Sequence, residues 1–205
     1  MGGVCEHSQV RKSTLVILLA LGAAFTGWVI SSVVRDLRGQ AAAAGASVAA
    51  APQTATLHWR ETYGRAGQQL VFTVDRVQVL GRGWRAWIGI DNKTTNAYDV
   101  GSPNSALDRS YGLMLFPTHS SSDVEQRIRN GTLPPIRKAV SFAPSLPTTL
   151  EAGQRWEGTI SAPGALVAGS WARVVFGTLA MVGNPPPNTP PTIVWITDHA
   201  LRLKS

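Results

Sequence analysis

Thr118-His119-Ser120-Ser121-Ser122-Asp123 gathers a hydroxyl, an imidazole and a carboxylate, the three groups of nucleophilic acyl transfer. A working triad is assembled from groups far apart in a chain, so six neighbours of this kind read as a polar loop. No Gly-x-Ser-x-Gly elbow occurs, and the strand-to-helix alternation that such an elbow needs is missing. Metal chemistry fares no better: His58, His119 and His199 stand alone, without a His-x-His or His-Glu-x-x-His pair, and Cys5 lies far away near the amino terminus. Glu151 and Glu157 could serve glycoside hydrolysis only at a carboxylate separation that sequence does not reveal. Gly81-Arg82-Gly83 lacks the third glycine, the lysine and the following helix of a phosphate loop, and reads as a hairpin turn. The expectation is therefore no catalytic residue, no metal ligand and no cofactor.

Binding chemistry is better represented. The chain carries 19 Lys and Arg against 12 Asp and Glu, a net charge of +7. The cations are scattered, with tight groups only at Arg127/Arg129 and Arg137/Lys138, which argues against nucleic acid and for an anionic lipid or wall polymer. Six tryptophans follow residue 57: Trp59, Trp84, Trp87, Trp156, Trp171 and Trp195. Most are expected to pack between sheets. Trp84 and Trp87 have opposite strand parity and cannot both enter one core, so Trp87 is the first candidate for a contact surface. The Asn-x-Thr sequences at Asn92 and Asn130 read as turns rather than glycan acceptors.

These groups need elements to hold them. Residues 14–34, TLVILLALGAAFTGWVISSVV, are an uncharged run long enough, at roughly 1.5 Å per residue, to span a bilayer core. Arg11 and Lys12 close it on one side, and Arg35, Asp36 and Arg38 on the other. The run is longer than a signal-peptide core, and no small-residue cleavage site follows it closely, so an uncleaved signal anchor is expected. Residues 1–13 would be a short cytoplasmic leader, residues 35–56 an Ala-rich tether, and residues 57–205 an extracytoplasmic domain. Membrane lipid is then one partner, through the amino-terminal helix; an extracytoplasmic protein or cell-wall component is the other. Cleavage, giving a secreted domain, is the alternative. A single cysteine excludes a disulfide framework.

After the tether the period is that of strands. Leu70, Phe72 and Val74 alternate with Val71, Thr73 and Asp75, and the parity switches at Asp75-Arg76, which predicts a bulge or a change of sheet. Trp84, Ala86, Ile88 and Ile90 form one face of the next run, with Arg85, Trp87 and Asp91 on the other, and Asn92 to Asn96 turn the chain. Further strands are predicted at residues 97–100, 111–116, 138–142, 155–161, 170–182 and 193–203. Residues 122–130 have room for two helical turns at most before Gly131 and Pro134. Residues 183–192, GNPPPNTPPT, read as a stiff connector. The sum is an all-β, Greek-key β-sandwich of seven or eight strands, preceded by one transmembrane helix.

The runs WRAWIGIDNKTTNAYDV and LEAGQRWEGTISAPGAL, followed by GSWARVVFG, resemble the small immunoglobulin-like domains of exported Gram-positive and mycobacterial lipoproteins and secreted antigens. The resemblance covers Leu70 to Val182. It implies an immunoglobulin-like fold and a place outside the membrane, and it carries no catalytic residue. The function expected is a membrane-anchored binding or structural domain without catalysis, the alternatives being an exported hydrolase with a loop-built site or a carbohydrate-binding module.

Overall fold

The structure is a computed structural model and describes residues 47–100, 111–185 and 190–205. The leader, the span expected over residues 14–34 and most of the tether lie outside the described residues. Among the described residues no helix is long and apolar enough to cross a membrane.

Twelve strands and one helix follow in order: β1 (Gln53–Arg65), β2 (Gln68–Leu80), β3 (Gly83–Lys93), β4 (Tyr98–Asp99), β5 (Gly112–Phe116), α1 (Ser121–Asn130), β6 (Arg137–Lys138), β7 (Ser141–Ala143), β8 (Thr149–Leu150), β9 (Arg155–Pro163), β10 (Trp171–Met181), β11 (Thr192–Ile196) and β12 (Leu201–Arg202). Seven have five or more residues; the rest have two or three. The first sheet runs β1-β2-β3-β9-β7, and the second runs β6-β5-β10-β4-β8 with β11 and β12 also paired to β10. All pairings are antiparallel. The chain is therefore an all-β arrangement of two sheets.

The period-two pattern decides which side chains lie between them. Leu70, Phe72, Val74, Ile88, Ile90 and Ile160 of the first sheet share one buried cluster with Leu113, Val174, Phe176 and Leu179 of the second. Phe72 sits at its centre, with ring centroids 5.0 Å from Phe176 and 5.1 Å from Trp195. The parity switch of β2 is a bulge within one sheet: the register with β3 skips between Val74 and Arg76.

Three expectations change. The compact unit begins at Val48, not residue 57. Ala50 and Ala51 donate to the carbonyls of Leu166 and Lys204, and Gln53 opens a 13-residue edge strand. The run predicted over 138–142 divides, because β6 pairs with β5 in one sheet while β7 pairs with β9 in the other. The helix is also longer than two turns: α1 covers ten residues and ends on Gly131, whose left-handed φ of 64 lets its N–H reach back to the last carbonyls. Asp123 pairs with Arg127 one turn on, at 2.9 Å.

A second, smaller apolar cluster lies on the far side of the second sheet. Met114, Phe116 and Val175 meet Val124 of α1, with Leu133, Ile136 and Trp171 around them. The helix thus covers the outer surface of that sheet.

Candidate binding face

Among the described residues no element covers the first sheet in the same way. Register places Arg60, Thr73, Gly89 and Glu157 in one row across β1, β2, β3 and β9, and Thr62, Val71, Asp91 and Arg155 in the next, with Lys93 opposite Gln69 beyond them. Across the bulge, the next rows over β2, β3 and β9 are Arg76, Trp87 and Thr159, then Gln78, Arg85 and Ser161. Their alternates Phe72, Ile88, Ile90 and Trp156 are buried, so this set points away from the core.

Trp87, the residue singled out by parity, is half-buried here. The Arg76 guanidinium lies 3.7 Å from its ring centroid. Such a stack contributes about 0.5–1 kcal/mol at an exposed site. Lys93 is 3.4 Å from Asp91, and Arg155 pairs with Glu157. Among the described residues Arg60, Arg76 and Arg85 have no ion-pair partner. Asp75, exposed in the bulge, is the remaining acid at the rim.

A hollow of about 160 Å³ lies in this face, lined by Arg60, Val71, Thr73, Gly89, Asp91, Lys93 and Arg155. A methyl group on Gly89 would come within 2.6 Å of the Thr73 hydroxyl and 3.0 Å of Glu157 Cγ. Glycine therefore leaves room for the Thr73 and Glu157 side chains of the two flanking strands to pack over its backbone.

A buried polar cluster forms at the β1 side of the molecule, and sequence reasoning did not find it. Glu61 points inward from β1 and is only 8% exposed. Its carboxylate accepts from the Trp195 indole at 2.8 Å, the Asp198 and His199 amides at 2.8 and 3.2 Å, and His199 Nδ1 at 2.8 Å. His199 stacks on Trp59 at 5.4 Å. On the other side of the same turn, fully buried Arg173 donates to the carbonyls of Thr197, Asp198 and His119. Burial pulls the Arg173 guanidinium below its ordinary value, and the charges of Asp198, Glu61 and Asp123 oppose this. The groups clamp the Thr197–Ala200 excursion that splits the last predicted strand into β11 and β12. The sequence signal was Glu61 at an inward position of a period-two run.

The Thr118–Asp123 segment is the approach to α1. Thr118 bonds Asp123 at 3.3 Å and Ser120 bonds Ser122 at 2.6 Å, while the His119 ring packs on Trp171 at 4.9 Å, away from both pairs. Asn92 is wholly buried. Its Nδ2 donates to the carbonyls of Asn96, Leu150 and Glu151, and its Oδ1 accepts from the amide and hydroxyl of Thr94. It is a clasp between two turns, closed to a glycan. Trp84 and Trp156 are buried, Trp59 and Trp195 flank the main core, and Trp171 stands on the second sheet's covered side. No three of His, Cys, Asp and Glu among the described residues stand where they could hold a metal ion. Among the described residues, a wider cleft of about 500 Å³ lined by Val48, Ala168, Arg202 and Lys204 holds no acid side chain and no imidazole.

Comparison with family models, with curated proteins and with solved structures finds no match to this chain.

Proposed function

We propose that the protein is a membrane-anchored, extracytoplasmic binding domain without catalytic activity, which meets its partner through the outer face of the first sheet. The observation that carries this reading is the pairing of an uncovered sheet face with the Arg76–Trp87 stack at its centre. Aromatic and arginine side chains held in place by each other make contacts at little entropic cost. The 21-residue apolar run at 14–34 and the Ala-rich stretch after it supply the anchor and the tether, which raises the local concentration of the face near the membrane.

The kinship proposed is with the immunoglobulin-like domains of exported bacterial proteins, in a Greek-key arrangement. What supports it is the alternation of β7, β8, β9 and β10 between the two sheets. The IDNKTTN run also acts as an Asn92-centred clasp at the end of β3.

The hydrolase reading would draw on Glu61 and His199, which have the carboxylate-to-imidazole bond of a general base. Among the described residues no hydroxyl bonds the His199 ring, and the carboxylate is already committed to two amides and an indole. A sugar-stacking site would need a free ring face where Arg76 sits over Trp87.

The test is protease treatment of intact cells expressing the full-length chain with a carboxyl-terminal tag, together with the mass of the membrane-bound product. Loss of the tag from full-length, membrane-bound protein is expected. A protected tag contradicts the exterior placement, and a shortened, released product contradicts the anchor.

A further inference from the structure

We propose that the outer face of β1, β2, β3 and β9 binds a linear polymer whose charges are phosphate groups, laid along β3 with one phosphate seated at the Gly89 hollow. This rests on the reading of that face as the binding surface and gives the ligand's chemistry.

The charge of this face and its placement fit such a ligand. Five cations reach this face, Arg60, Arg76, Arg85, Lys93 and Arg155, against the acids Asp75, Asp91 and Glu157. Asp91 and Glu157 are taken up by Lys93 and Arg155, so the three arginines without an ion pair set the local field. Outward positions on a strand recur about every 6.8 Å. Arg85, Trp87, Gly89, Asp91 and Lys93 therefore form a line along β3 of roughly 27 Å, far longer than one small anion requires. A chain of charges fits such a line; a single anion leaves its ends idle.

The geometry at the hollow fits phosphate. Arg60 approaches from β1, Arg155 from β9 and Lys93 from the far end, and the Thr73 hydroxyl lies beside Gly89. A planar carboxylate is satisfied by one arginine fork from one side. A tetrahedral phosphate offers oxygens to donors arriving from several directions, which is what this hollow presents. Four of the five cations are arginines, the side chain whose fork matches phosphate oxygens.

The measurement is fluorescence anisotropy of labelled linear polyphosphate titrated with the full-length chain in neutral detergent, at low and at physiological salt. Saturable binding that weakens with salt is expected. The triple variant R60A/R76A/R85A should bind about tenfold more weakly or worse with its thermal melting unchanged. D91N/E157Q, which removes the two competing carboxylates, should bind about threefold more tightly, an effect that a purely structural role for these residues would not produce. R129A, on the exposed side of α1, should change nothing. The inference is overturned if polyphosphate does not bind, or if R129A weakens binding as much as the triple variant does. It is also overturned if polyglutamate of equal charge competes equally well, or if vesicles of anionic lipid displace a probe that polyphosphate cannot. Failure of polyphosphate with a tag still cleaved outside the cell would sink the ligand and spare the wider reading.

Discussion

The two sheets of this domain have outer surfaces built from the same strand chemistry and put to opposite uses. On the second sheet, Met114, Phe116 and Val175 point outward, and α1 lies over them with Val124 at the contact. On the first, the outward positions carry Arg60, Thr73, Arg76, Arg85, Asp91 and Lys93, and no element lies over them among the described residues. A sheet with one polar face needs no cover, whereas one with two apolar faces must bury both. Among the described residues the sandwich is covered by a helix on one side and open on the other, and the open side is where the only outward-facing tryptophan of β3 stands.

The largest effect expected follows from that contrast. Phe116→Ala should destabilise the fold by about 3–5 kcal/mol in urea unfolding, whereas Trp87→Ala on the open face should cost no more than about 1 kcal/mol. Equal losses would break the comparison, since Trp87 would then be core. Arg173→Met comes next. It leaves the Thr197, Asp198 and His119 carbonyls without their buried donor and should cost about 3 kcal/mol, while Arg85→Met, an exposed cation, should be close to neutral. Asn92→Asp sets a carboxylate against three carbonyls and should cost about 2–3 kcal/mol, measured the same way; a neutral result would mean the clasp carries no strain-bearing role.

A smaller effect is read in pH. Burial raises the Tyr111 phenol above its ordinary range, and among the described residues its hydroxyl has no hydrogen-bond partner. The unfolded chain gives up this proton near its ordinary value of about 10, while the folded chain keeps it. The stability due to this group is therefore complete below that pH and is lost progressively above it. Tyr111→Phe should flatten the alkaline limb of the stability profile and leave the neutral region little changed. An identical limb in the variant would mean that the phenol is not held from ionising.

Much of the fold was legible because alternation survives wherever one face of a strand is buried. Trp84, Ala86, Ile88 and Ile90 announced the inner face of β3, and the parity switch at Asp75-Arg76 announced the bulge. The strand β1 was hidden. Its inward series Ala55, Leu57, Trp59, Glu61 and Tyr63 has a carboxylate where a hydrophobe is expected, and it begins inside an Ala-rich stretch that reads as linker. Only the partners of Glu61, more than 130 positions away at Asp198 and His199, make that acid tolerable inside. The division of 138–142 and of 193–203 into two strands each was equally closed to sequence, because neither break is marked by a change in hydrophobic period. Trp87 could be placed outside by parity alone; its Arg76 cover and the Gly89 hollow depend on cross-strand register, which one sequence does not fix.

Site-directed photo-crosslinking in intact cells tests the central claim most directly. A photoreactive side chain would replace Trp87 on the open face in one full-length protein and Ile128 on α1 in another. Ile128 is the more exposed of the two sites, so an adduct confined to position 87 reads contact rather than exposure. An adduct at position 87 and none at position 128 is the predicted result. Adducts at 128 with none at 87 would place the working surface on the helix-covered side and contradict the account.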